Sequence, residues 1–189
     1  MQRPLDGRTR YTMLKTIVNS LIRDQHAASK AAGWWTDIKT MQPIDPNTVV
    51  MEKLMLVVTE ISESAEPGMD DKLPHRTAFE VEIADVVLRV ADLMGALGFD
   101  LDDTQDVGVF EDGDLQFCTL VHATAQAAEA FRKSKMDKLR SYLSIILLIC
   151  FNTKGIDLWN AVHEKMAYNA RRLDHTLAYR INAEDGKKC

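Results

Sequence analysis

The stretch from Glu52 to Asp92 fixes most of what this chain can fold into, because two helical periodicities run through it and each carries a pair of acids. Val50, Leu54, Val57 and Ile61 recur at three- and four-residue intervals, and Phe79, Ile83, Val86, Val90, Leu93 and Leu97 do the same further on. Both patterns predict amphipathic helices with one apolar stripe each. The acids are Glu60 with Glu63, and Glu82 with Asp85. Residues three apart share a helix face, so each pair presents two carboxylates together. Between the two segments, Pro67-Gly68-Met69-Asp70-Asp71-Lys72-Leu73-Pro74 breaks the helix. The break predicts an antiparallel hairpin in which all four acids converge.

Four converging carboxylates repel one another and raise each other's pKa unless a cation sits between them. An all-oxygen set without His or Cys favours a hard divalent ion. Mg²⁺ in particular uses a few carboxylates, keeps several waters and binds substrate phosphates. The alternative is a solvated acidic face, with Asp85, Arg89 and Asp92 forming an ordinary ion-pair ladder at one-turn spacing. The cluster Lys72, His75 and Arg76 precedes the second acidic helix, where the helix dipole disfavours cations. It reads as a solvated, loop-anchoring group, with a phosphate or acidic neighbours as the other partners its placement suggests.

The rest of the chain also reads as helix. Met13, Ile17, Leu21 and Ile22 mark a first helix over about 9 to 31, stopping at Gly33, with His26 and Trp34-Trp35 at its exit. Pro43, Asp45-Pro46 and Asn47 then make a loop that ends in a cap for the acidic helix and leaves Trp35 tethered near the acids, free to reach over them or to fill the core beneath the loop. After an acidic linker from Asp102 to Asp114, helices are predicted over about 115 to 132 and 136 to 153. The second of these has Leu139, Leu143, Ile146, Leu147 and Cys150 nearly all round and reads as the spine of the core. A last helix runs from about Asp157 to Leu173, with Lys165, Asn169 and Arg172 along one face. Residues 174 to 189 read as a polar tail in which Lys187 and Lys188 are placed to close over an anion. The expectation is a single all-α domain of five or six helices with a four-helix core.

Charge narrows the partners. A net charge of −5 offers no general basic field for a nucleic-acid backbone, although a bound metal would reverse the local sign for a free nucleotide. Cys118, Cys150 and Cys189 show no metal-ligand spacing and fit a reducing compartment. The most apolar run, Leu143 to Phe151, is far short of the ~20 residues that cross a bilayer. Neither it nor the N-terminus resembles a signal or a span, and the expected location is the cytoplasm.

The motif Glu60-Ile-Ser-Glu63, a linker, then Glu82-Ile-Ala-Asp85 resembles the ExxE and ExxD signature of the all-α nucleoside triphosphate pyrophosphohydrolases, the MazG-like and dimeric dUTPase-like group. His26 and Trp34-Trp35 upstream, and Lys165-Met-Ala-Tyr-Asn169 downstream, follow that family's order, and the likeness spans roughly residues 12 to 173. Thr59 departs from it, standing where many members have a further Glu. The resemblance implies Mg²⁺-dependent cleavage of a nucleoside triphosphate between its α and β phosphates, with Mn²⁺ as the other fitting ion. Glu60, Glu63, Glu82 and Asp85 would hold the metal. Lys165, Asn169 and Arg172 would steady the polyphosphate or sugar, and His26 with Trp34 or Trp35 would face the base. It also implies a homo-oligomer. A non-catalytic helical interaction protein is the alternative from a different class.

Gly98-Phe99-Asp100-Leu101 returns as Gly155-Ile156-Asp157-Leu158, which predicts a degenerate internal repeat. The first copy would hold metal and the second would complete the substrate site.

Overall fold

In the computed structural model, residues 7–102 and 113–182 are described, and among them the fold is a helical bundle with no strand. The helices are α1 (Gly7–Ala31), α2 (Pro46–Glu63), α3 (Ala78–Ala96), α4 (Gly113–Arg132), α5 (Met136–Phe151), α6 (Leu158–Arg171) and α7 (Leu177–Asn182). A 3-10 turn, Leu173–His175, separates the last two. Two isolated bridges, Thr36 with Pro43 and Met69 with Thr77, only close loops.

Local chemistry explains where the two acidic helices begin and end. At the start of α2, Pro46 occupies the first turn, where its missing N–H costs nothing, and Asp45 accepts a hydrogen bond from the backbone N–H of Asn47. The start of α3 is held by a capping box: Thr77 accepts from the Glu80 N–H while the Glu80 side chain reaches back to Thr77 N–H. At its far end the N–H groups of Gly98 and Phe99 bond to the carbonyls of Gly95 and Met94, which is the Schellman arrangement.

Four helices close a ring, with α2 against α3, α3 against α5, α5 against α4, and α4 against α2. Helices α1 and α6 pack on the outside of α3. The spine is therefore α3, not α5 as the sequence suggested. Twelve residues of α3 are buried, including Val81, Glu82, Ile83 and Ala84 around its whole circumference, against eight in α5. An all-round apolar surface is common to both helices; which one sits at the centre depends on how many neighbours the topology supplies.

Pairs along α3 fix the directions of its neighbours. Glu60 pairs with Arg89 and Lys53 with Asp92, so α2 runs antiparallel to α3. Asn19 accepts from Leu101 N–H while His26 meets Asp92, so α1 is antiparallel too. The Asp157 N–H at the start of α6 donates to Glu80, and Lys165 further along meets Asp85, so α6 runs parallel. The close approach of α1 depends on Gly95: a Cβ there would stand 2.5 Å from the Cβ of His26 and 2.9 Å from the carbonyl oxygen of Ile22.

Two expectations change in the second half of the chain. The segment read as a polar tail contains the 3-10 turn and α7, and Arg180 of α7 is 1% exposed. Lys187 and Lys188, like most of the acidic linker, lie outside the described residues. The two Gly-x-Asp-Leu copies also sit differently. Gly98 directly follows the C-cap Leu97, whereas Gly155 stands three residues beyond the C-cap Asn152.

Candidate functional site

The acidic face of the α2–α3 hairpin is where the sequence put it. Glu60, Glu63 and Glu82 each offer a carboxylate oxygen, and these atoms all lie within 4.8 Å of one another. Glu60 and Glu82 are both 6% exposed, while Glu63 is open to solvent. Burial and the neighbouring Asp85 charge push Glu82 up to about 7, against the partial relief given by Lys165 and Lys72. Glu60 is raised for the same two reasons, and Arg89 works in the opposite direction.

Asp85 stands slightly apart. It is not one of the three clustered acids, and its Oδ2 lies 2.7 Å from the Nζ of Lys165, which is almost wholly buried. That contact is an ion pair without hydrogen-bond geometry, and Lys165 Nζ has no other partner. The Oε2 of Glu82 and the Oδ1 of Asn169 are likewise buried without a hydrogen-bond partner. Orphaned polar atoms of this kind are costly, and several in one place mark a site whose polar groups point at something other than each other.

Glu60, Glu63, Asp85, Lys165 and Asn169 line a cleft of about 760 Å³, within the range of small-molecule sites, and Glu82 adjoins it through the acidic cluster. Its floor is α3, with Asp85, Leu88, Arg89 and Asp92. One wall is α2, with Lys53, Leu56, Thr59, Glu60 and Glu63. The opposing residues come from the end of α1 and the loop after it, with Ser29 and Trp34, and from α6 and the turn after it, with Lys165, Asn169, Arg172 and His175, while Lys72 reaches in from the α2–α3 loop. Five cationic side chains, Lys53, Lys72, Arg89, Lys165 and Arg172, thus share one concavity with the acids. An acidic group ringed by cations suits a ligand that is itself a metal–polyanion pair.

His26 and Trp35 are placed otherwise than the sequence suggested. Trp35 is 5% exposed and its Nε1 donates to Asp92 Oδ1 at 2.8 Å. The Nδ1 of His26 shares the same oxygen at 3.0 Å, and the two rings meet edge to face. Neither ring lines the cleft. A buried indole N–H requires an acceptor, and Asp92 provides it, so Trp35 is committed to the core rather than free to swing over the acids. Trp34 does line the cleft. Arg89 pairs with Glu60 across the hairpin at 3.0 Å, so the exposed ladder Asp85-Arg89-Asp92 gives way to cross-helix pairs.

Sequence reasoning missed Lys53 and the part played by Asp92. Lys53 is 6% exposed, 4.7 Å above the Trp35 ring and 3.9 Å from Asp92. The signal was present, because Lys53, Glu60 and Glu63 share one face of α2 just as Asp85 and Asp92 share one of α3. The cationic cluster in the loop does anchor, but it is not wholly solvated. Arg76 is buried and grips Glu164 through Nε at 2.8 Å and Nη2 at 2.9 Å, with His75 on the same carboxylate at 2.7 Å. These contacts hold Glu164 at about 2 and pin the helix that carries Lys165.

Comparison with known proteins gives no matching family model, no matching curated protein and no matching solved structure. Among the described residues, no helix is long and apolar enough to cross a membrane.

Proposed function

We propose that the protein is a Mg²⁺-dependent nucleoside triphosphate pyrophosphohydrolase of the MazG-like kind, acting in the cytoplasm as a homo-oligomer. The observation that carries this reading is the meeting of Glu60, Glu63 and Glu82 oxygens within 4.8 Å beside a cleft that also holds five cationic side chains. The donors fit a hard cation: they are all carboxylate oxygens, and Glu82 Oε2 is buried without a partner. Mn²⁺ would fit the same donors.

In this reading Glu60, Glu63, Glu82 and Asp85 would hold the ion, with Lys165 beside Asp85 facing the substrate phosphates. When bound, the metal supplies charge neutralisation at the phosphoryl oxygens and a more acidic water. One of the four carboxylates takes the proton of the attacking water. Water adds to the α-phosphorus, the bond from that phosphorus to the bridging oxygen breaks, and the monophosphate and pyrophosphate leave. Lys53, Lys72, Arg89, Lys165 and Arg172 balance the charge of the polyphosphate, and Asn169 offers its unpartnered oxygen to the sugar.

The test is pyrophosphate release from individual ribo- and deoxyribonucleoside triphosphates. Wild type should release it only with Mg²⁺ or Mn²⁺ present. Glu60→Gln and Glu82→Gln should each lose about 100-fold or more in rate, the scale on which removing a preorganised electrostatic contact is felt. A wild type that releases none from any nucleotide, or variants as fast as wild type, would overturn the assignment.

A further inference from the structure

We propose that Lys165 is a resident counterion standing in for a metal ion at Asp85 and Glu82, so that the acidic cluster takes up Mg²⁺ tightly only when a ligand's phosphates draw its ammonium away. The inference rests on the reading above and adds to it how the site is regulated: cation uptake is conditional on an anionic ligand.

Two of the cations that balance the acids from inside the chain are placed very differently. Arg89 meets Glu60 at 3.0 Å with a side chain 39% exposed, so water can replace that partner. Lys165 has no such exit. Its side chain is 2% exposed, and its Nζ lies 2.7 Å from Asp85 Oδ2. Of the cations that relieve Glu82 it also acts most strongly, ahead of Lys72. Lys165 therefore serves both Asp85, which stands outside the three clustered acids, and Glu82, which is one of them. An ammonium stripped of water needs an anion, and the one it meets is Asp85.

Two features mark the contact as one that can be exchanged. The pair lacks hydrogen-bond geometry, and Lys165 Nζ, Glu82 Oε2 and Asn169 Oδ1 are all buried without a hydrogen-bond partner. A structural ion pair in a protein interior has its remaining donors and lone pairs satisfied, and this one does not. Lys165 and Asp85 also both line the cleft, so a group that replaces Asp85 as partner arrives from there. The helix itself is held: Arg76 grips Glu164, the residue before Lys165, at 2.8 Å and 2.9 Å. Exchange of partner is thus confined to the lysine side chain.

The charges set the sign of the coupling. With Lys165 on Asp85, a dication beside the acids is opposed by an ammonium held away from water, where charges are poorly screened. A polyphosphate lifts that opposition by giving Lys165 an anion of its own. Coupling between two ligands is reciprocal, so the cation tightens the hold on phosphate by the same factor.

The experiment titrates the full chain by calorimetry with two probes, Mg²⁺ alone and inorganic triphosphate in excess Mg²⁺. Lys165→Met should bind Mg²⁺ alone about 10-fold or more tighter than wild type, the scale on which a neighbouring unit charge is felt, and should bind the triphosphate more weakly. Lys165→Gln should do the same. Lys165→Arg, which keeps the charge, should stay within about threefold of wild type for Mg²⁺ alone. Opposite signs for the two probes are the diagnostic, because a damaged fold weakens both and a plain phosphate contact weakens only the second. Mg²⁺ alone should accordingly raise the melting temperature of the two neutral variants more than that of wild type. Unchanged or weaker binding of Mg²⁺ alone in both neutral variants would overturn the counterion role while leaving the pyrophosphohydrolase reading intact. A wild type that binds neither probe would remove that reading and the role assigned here with it.

Discussion

Glu82 shows most directly what clustering the acids costs in stability. Its carboxyl is pushed up to about 7, first by burial and then by Asp85. The folded chain therefore holds this proton more tightly than the unfolded chain, in which a glutamate titrates near 4.5. By linkage, its favourable contribution is complete below about pH 4.5 and is lost as the pH rises through about 7. In EDTA, wild-type stability in urea should fall between about pH 5 and about pH 8. Glu82→Gln, with a neutral amide of the same shape, should remove part of that fall and be more stable at about pH 8 by on the order of 1 to 3 kcal/mol. An unchanged pH slope in the variant would show that Glu82 is not the strained group. The spacing of Glu60, Glu63, Glu82 and Asp85 was legible because i, i+3 pairs on a hairpin have few places to go. That Asp85 would be held by Lys165 was not legible, because that pairing depends on α6 running parallel to α3, and nothing in either segment specifies the direction.

At the scale of elements, periodicity located the helices and the caps set their ends, as the bounds of α1, α2 and α3 illustrate. It could not find α7. Six residues whose docking rests on one arginine stacked over an indole far away in sequence carry no repeating signal. Asp92 was obscured for a related reason. Its spacing from Arg89 fits an exposed ladder as well as a buried hub, and the choice is made by α1 crossing at Gly95 and bringing His26 with it. The Arg76–Glu164 clamp is the element-level device that most affects the site, since Lys165 is the next residue along α6. Glu164 is held at about 2, below its ordinary 4.5, by hydrogen bonds from Arg76 and His75. The clamp's contribution is thus present above about pH 4.5 and lost as the pH falls through about 2. Arg76→Met should be destabilised at neutral pH, and the gap from wild type should close on acidification towards about pH 2. At neutral pH its α6 amides should exchange with deuterium faster than those of α4. A gap that stays constant with pH would mean that Arg76 acts by packing alone.

For the molecule as a whole, the arrangement of helices divides ligand response into two zones. The cleft is lined from α1 and the loop that follows it, from α2, α3 and α6, and from the turn after α6, while α4 and α5 contribute nothing to it. A ligand that bridges the first group ties together helices that otherwise meet mainly through α3. Anything bound only to the folded state stabilises it in proportion to the logarithm of its concentration, by about 2.7 kcal/mol at one hundred times the dissociation constant. Mg²⁺ with a non-hydrolysable nucleoside triphosphate should therefore raise the melting temperature of wild type with that dependence. Glu60→Gln, having lost both a carboxylate of the acidic cluster and the partner of Arg89, should show a much smaller rise. Local opening should be affected unevenly. Hydrogen exchange at amides that open without global unfolding should slow in α1, α2, α3 and α6 and stay nearly constant in α4 and α5, because only the first set gains contacts. Protection concentrated in α4 and α5, or an equal thermal shift for Glu60→Gln, would place the ligand elsewhere on the molecule and leave the convergent carboxylates as a structural feature without a bound cation.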